Sequence, residues 1–167
     1  SMSINVTVDL LIKADFPERL EKLLGNYGLG WNHLLLEVTE SRLVTRNIIP
    51  LEVLTRLHLK GVGLSIDDFG TGYSGLEQLD TVPFTEMKLD RAFITGARRE
   101  GTSRTILESS VDLARKLQMS IVAEWIETAE DWNLVESLDC DYAHGFSIAK
   151  PMPAQELPGW LEKWNRS

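Results

Sequence analysis

The chain has 167 residues, 43% hydrophobic and 25% charged, with five tryptophans that need burial; this excludes a disordered segment and predicts one globular domain over residues 1–167. Seventeen Lys and Arg against 25 Asp and Glu give a net charge of −8, which argues against a nucleic-acid polymer as partner; an anionic ligand needs a local cation, and a metal ion is one way to supply it. No apolar run approaches the roughly 20 residues of a membrane helix, no export signal is visible, and the single Cys140 allows no internal disulfide, so the expected compartment is a reducing cytoplasm.

Ser1-Met2 reads as the remnant of a cleaved tag. Strand signals then alternate with helix signals. Ile4–Val8 is β-branched, and Pro17–Tyr27 carries Leu20, Leu23 and Leu24 at helical spacing. Leu34–Val38 predicts a strand and Pro50–Lys60 a helix that Gly61 stops. Gly63–Ile66 leads into Asp67-Asp68, a glycine-rich turn and a short helix near Leu76–Leu79, and Glu86–Leu89 is a short strand. Thr102–Gln118 is the clearest helix, with Ile106, Leu107, Val111, Ala114 and Leu117 as an apolar stripe. Ser120–Ala123 is a strand, Thr128–Leu138 a helix with Trp132, Val135 and Leu138 inward, Asp141–Phe146 the last strand and Ala154–Trp164 a closing helix. Trp160 and Trp164, one turn apart, are expected to pack against the sheet's outer wall.

Six such units imply an α/β fold with parallel strands and right-handed crossovers. About 28 residues per unit suits a TIM barrel, yet eight units need roughly 200 residues or more, so the expectation is an incomplete TIM-like barrel with about six of its eight βα units, or else a doubly wound sheet. The strand ends favour the barrel. Asn5, Glu37, Asp67 with Asp68, Lys88, Glu124 and His144 fall at successive C-terminal strand ends, where a curved sheet would converge them on one site. Carboxylates crowded together cannot all ionise unless cations sit among them. Their oxygens suit Mg²⁺, Mn²⁺ or Ca²⁺, and the chemistry inferred is two-metal phosphoryl hydrolysis. Asp67-Asp68-Phe69-Gly70 is not read as a kinase motif, because no glycine-rich strand-turn-strand loop and no His-Arg-Asp segment accompany it; Gly70 and Gly72 predict a tight, mobile loop.

Together these residues resemble the EAL domain family, which hydrolyses cyclic di-GMP. Leu36-Glu37-Val38-Thr39-Glu40-Ser41 is similar to its Glu-x-Thr-Glu-Ser segment, and Asp67-Asp68-Phe69-Gly70-Thr71-Gly72-Tyr73-Ser74 to its most diagnostic loop. Met87-Lys88-Leu89-Asp90 resembles its Lys-Ile-Asp, and Val122-Ala123-Glu124-Trp125-Ile126-Glu127-Thr128 its Val-Ala-Glu-Gly-Val-Glu-Thr. The resemblance implies a TIM-like barrel that converts cyclic di-GMP to linear pGpG. It implies Asn5, Glu37 and Asp67 as ligands of a first Mg²⁺ or Mn²⁺, and Asp68 as serving a second, with Ca²⁺ inhibitory. Lys88 is then placed near the attacking water and Glu124 as general base or metal-associated carboxylate. Glu40 is implied to steady the loop after Asp68, with Glu127 and Asp90 as supporting carboxylates. An upstream sensory or receiver domain and a homodimer are implied as partners.

The sequence also departs from the family pattern. The name-giving Glu-Ala-Leu motif does not precede Asn5, so that by family order two strands are missing and this chain alone is expected to be impaired. His144-Gly145 stands where Gln-Gly is usual, and Trp125 where a glycine is usual. These changes motivate an alternative, a catalytically inactive module that binds cyclic di-GMP or a protein; a third reading is an unrelated metal-dependent α/β hydrolase or lyase. With six strands, two sheet edges and an apolar barrel interior would stand open to water, and self-association as a dimer or by swapping is expected. His33 and His58 read as ordinary surface or core-edge histidines, and Cys140 as a buried thiol without catalytic use.

Overall fold

The computed structural model describes residues 1–39, 50–70, 75–98 and 101–165. Its architecture follows from alternation within short strands. In β2 (Leu34–Thr39), Leu36 and Val38 are buried on one face while Glu37 points to the other; in β3 (Gly63–Phe69), Leu64 and Ile66 alternate with Ser65 and Asp67. The same alternation runs through β4 (Glu86–Leu89) and β5 (Ser120–Ala123), where Met87, Leu89, Ile121 and Ala123 are fully buried. With β1 (Met2–Asn5) and β6 (Tyr142–Ala143) these strands form one parallel sheet in the order β1-β2-β3-β4-β5-β6, a curled TIM-like half-barrel.

The helices cover the apolar, convex face. They are α1 (Val8–Leu11), α2 (Phe16–Asn26), α3 (Leu51–Leu59), α4 (Gly75–Thr81), α5 (Arg91–Gly96), α6 (Thr102–Lys116), α7 (Ala129–Ser137) and α8 (Leu157–Trp164). Leu20 and Leu24 of α2, Leu54 and Leu57 of α3, and Leu107 and Val111 of α6 bury against the sheet. Each such side chain contributes on the order of 2 kcal/mol, so this interface carries the fold. Among the described residues no helix is long and apolar enough to cross a membrane.

Several expectations need correction. The first strand ends at Asn5, because the Thr7 carbonyl accepts from Leu10 and Leu11 and starts α1, which buries Val8 and Leu11. The last strand shrinks to Tyr142–Ala143, because the chain turns at Gly145. Helix α5 had no periodic signal; Asp90 creates it by accepting from the Ala92 N–H at its N-terminus. Ile106, Leu117, Leu23 and Trp132 are exposed rather than inward. Trp160 and Trp164 stack on each other at 5.3 Å, and α8 buries no side chain. The concave face is mixed rather than apolar: Ser3, Asn5, Glu37, Asp67, Glu86, Lys88, Ser120 and Glu124 line it together with Leu34, Leu35, Val122 and Trp125. Alternation sends most apolar residues to the helices, so the opening exposes a trough of mixed lining, and the sheet ends in two open edges, β1 and β6.

Candidate active site

The trough is a cavity of about 920 Å³ that runs along the concave face. Parallel register places Asn5 opposite Glu37 and carries Glu37 to Ser65, Ser65 to Glu86 and Glu86 to Ser120, which is why residues far apart in sequence share one wall. Two strand positions beyond Glu86, on the same face, Lys88 reaches the centre. Its ammonium lies 2.6 Å from Glu124 Oε1, 3.0 Å from Glu37 Oε2 and 3.4 Å from Asp67 Oδ1, and all three partners are largely buried. The Ser3 hydroxyl donates to the other oxygen of Glu37. Three carboxylates around one ammonium leave the cluster negative even with Lys88 charged.

Burial alone would lower the Lys88 pKa, but hydrogen bonds and charge from Glu124, Glu37 and Asp67 outweigh it and raise the pKa above that of an ordinary lysine. Burial raises the Glu124 pKa despite Lys88. It also raises that of Glu86, only partly offset by the Ser65 hydroxyl.

Asp67 and Asp68 are both presented at the strand end by a bulge. The β3–β4 register shifts between Ile66 and Phe69, Asp68 takes φ 57°, and its N–H bonds Asp67 Oδ1 at 3.1 Å. Gly70 follows at φ 85°, and a Cβ there would overlap the Phe93 ring of α5. A similar close approach fixes the far side. Gly145 packs so tightly on Ile126 that a Cβ would overlap its backbone N and O, while Ile126 N donates to His144 O at 3.0 Å. His144 itself is mostly exposed, with Nδ1 3.9 Å from Glu124 Oε1.

The structure thus brings together Glu37, Asp67, Lys88 and Glu124, with Asn5, Asp68 and His144 on the same cavity. Glu127 and Asp90 lie outside the cluster: Glu127 pairs with Arg91 at 2.8 Å, and Asp90 caps α5. Glu40 and Thr71-Gly72-Tyr73-Ser74, with the mobile loop expected there, lie outside the described residues. Sequence reasoning missed Ser3 and Glu86, although each lies two positions before a site residue, Asn5 and Lys88, and therefore on the same strand face.

A divalent cation fits the chemistry of this donor set. Oxygen ligands predominate, and Lys88 already holds the position of a cation among three carboxylates. Among the described residues no group of three or more acidic, His or Cys side chains is placed to hold a metal ion.

Comparison with known proteins gives a consistent picture. The family described as "EAL domain" matches residues 1–151. The cyclic di-GMP phosphodiesterase RocR of Pseudomonas aeruginosa is 36% identical over 94% of the chain and 40% of its own length. Among solved structures, "PaMucR Phosphodiesterase, c-di-GMP complex" is 37% identical with a TM-score of 0.84, over 93% of this chain and 63% of that one. A Klebsiella pneumoniae BlrP1 structure with manganese and cyclic di-GMP is 33% identical with a TM-score of 0.82, over 89% of this chain and 38% of that one. The chain spans 20–40% of the length of the curated relatives it matches most strongly.

Proposed function

The chain belongs to the EAL domain family, and on that premise we propose that it is a metal-dependent phosphodiesterase domain that opens cyclic di-GMP to linear pGpG. The observation that carries this reading is the convergence of Glu37, Asp67 and Glu124 on Lys88 at one end of a parallel sheet. Relatives described as cyclic di-GMP phosphodiesterases, and neighbours holding manganese or calcium with cyclic di-GMP, support it.

In this reading Asn5, Glu37 and Asp67 would hold a first Mg²⁺ or Mn²⁺ and Asp68 would serve a second; such ions would supply a water of lowered pKa and positive charge for the phosphoryl oxygens. Lys88, kept charged by its carboxylates, holds the attacking water or a phosphoryl oxygen in the trough. Glu124, whose burial makes it a better proton acceptor than a surface glutamate, takes the proton from that water. The water oxygen bonds to phosphorus, one ring P–O bond breaks, and the departing ribose oxygen recovers a proton.

The test is turnover of cyclic di-GMP with Mg²⁺ or Mn²⁺, followed by chromatography of pGpG, beside calorimetric binding. Turnover that chelation abolishes, and that Lys88→Met lowers by about a hundredfold or more, is expected. Binding without turnover would favour the inactive regulatory module. Neither binding nor turnover with either metal would overturn the reading.

A further inference from the structure

Trp125 lines this cavity and has no part in the proposed chemistry. It follows Glu124 directly, with φ 57°, a left-handed conformation that glycine adopts freely and a bulky side chain adopts only under strain. The strain gains no core packing in return: the ring is 45% exposed. Phe146, delivered by the segment after β6, is 50% exposed and meets it edge to face, with ring centroids 6.2 Å apart at 61°. Trp125 lines the same cavity as Lys88, Glu124 and His144, and its other side borders a smaller cavity of about 360 Å³ beside Arg91 and Thr95.

Strained backbone and exposed aromatic surface beside a reactive cluster point to a ligand contact. A purely apolar ligand does not suit this site, because covering Trp125 from the trough would also strip water from the Lys88–Glu124 ion pair and from the exposed His144 ring. A planar, polar-edged group attached to a phosphodiester satisfies both demands: its face stacks on the indole while its phosphate lies at the charged cluster. We infer that Trp125, braced by Phe146, is the stacking platform for one guanine base of the cyclic dinucleotide. This rests on the function proposed above and adds a base-binding residue to it.

The test is titration of cyclic di-GMP into the wild-type chain, Trp125→Gly and Trp125→Phe, by calorimetry and tryptophan fluorescence. Trp125→Gly suits the backbone conformation and should fold at least as stably as wild type. It is expected to weaken binding about tenfold or more, the usual worth of one stacked base. Trp125→Phe should keep affinity within about threefold, since it retains an aromatic face, yet lose the quenching on saturation that the proposal expects of wild type. Equal affinity of wild type and Trp125→Gly overturns the platform and leaves the proposed function standing. Failure of wild type to bind at all overturns both.

Discussion

Replacing Asp131 by alanine removes the carboxylate that ties the loop behind Glu124 to the rest of the domain. That carboxylate accepts from Arg98 Nε at 2.8 Å and Nη2 at 3.0 Å, from the Thr128 hydroxyl at 2.8 Å and N–H at 3.0 Å, and from the Glu127 N–H at 3.3 Å. Asp131 is 1% exposed, whereas the Arg98 side chain is 34% exposed. Screening at Arg98 limits the ion pair to about 1 kcal/mol. Losing the capping box at the start of α7 costs about another. The N–H groups and hydroxyl left to find water cost about 1 kcal/mol more. The sum, about 3 kcal/mol, corresponds to a melting temperature lower by roughly 6–12 °C for a domain of this size. Burial would raise the Asp131 pKa, but the Arg98, Thr128 and Glu127 contacts outweigh it and hold it below the usual aspartate value of 3.8. A lowered carboxylate pKa contributes stability that is present above 3.8 and lost as pH falls toward the folded value. The gap between wild type and Asp131→Ala, measured by urea unfolding, should therefore be full at pH 7 and narrow progressively below pH 4. A loss under 1 kcal/mol at pH 7, or a gap unchanged at pH 3, would refute this account.

Two further predictions concern the same half of the domain. Gly145→Ala places a methyl on the backbone of Ile126 and should destabilise by about 3 kcal/mol or more in chemical denaturation, displacing His144 and Glu124 as it does so. Burial pushes the Cys140 thiol up to about 11, so iodoacetamide at pH 8 should alkylate the native chain about a hundredfold more slowly than the urea-unfolded one; equal rates would show the thiol to be freely ionised.

What the sequence made legible was what repeats. Apolar residues at every second strand position and along one side of α2, α3 and α6 mark the helix–sheet interface, and polar residues at successive strand ends mark the site. Single contacts that override periodicity were not legible. One capping carboxylate makes α5, a turn at Gly145 cuts β6 to two residues, and a carbonyl at Thr7 diverts the chain into α1 after Asn5. The polar lining of the trough sits between these cases. Glu86 and Lys88, or Ser3 and Asn5, are visible as same-face pairs once a strand is assumed, but only parallel register shows that Glu37, Ser65, Glu86 and Ser120 form one continuous wall.

That wall bears on how the site is tuned. Lys88 is the only cation in contact with Glu37, Asp67 and Glu124 among the described residues, so those carboxylates compete for one positive charge. Glu86, two residues before Lys88 on the same face, has its pKa raised by burial, with the Ser65 hydroxyl and Lys88 opposing. Asp68 and Asn5 line the same cavity as this cluster.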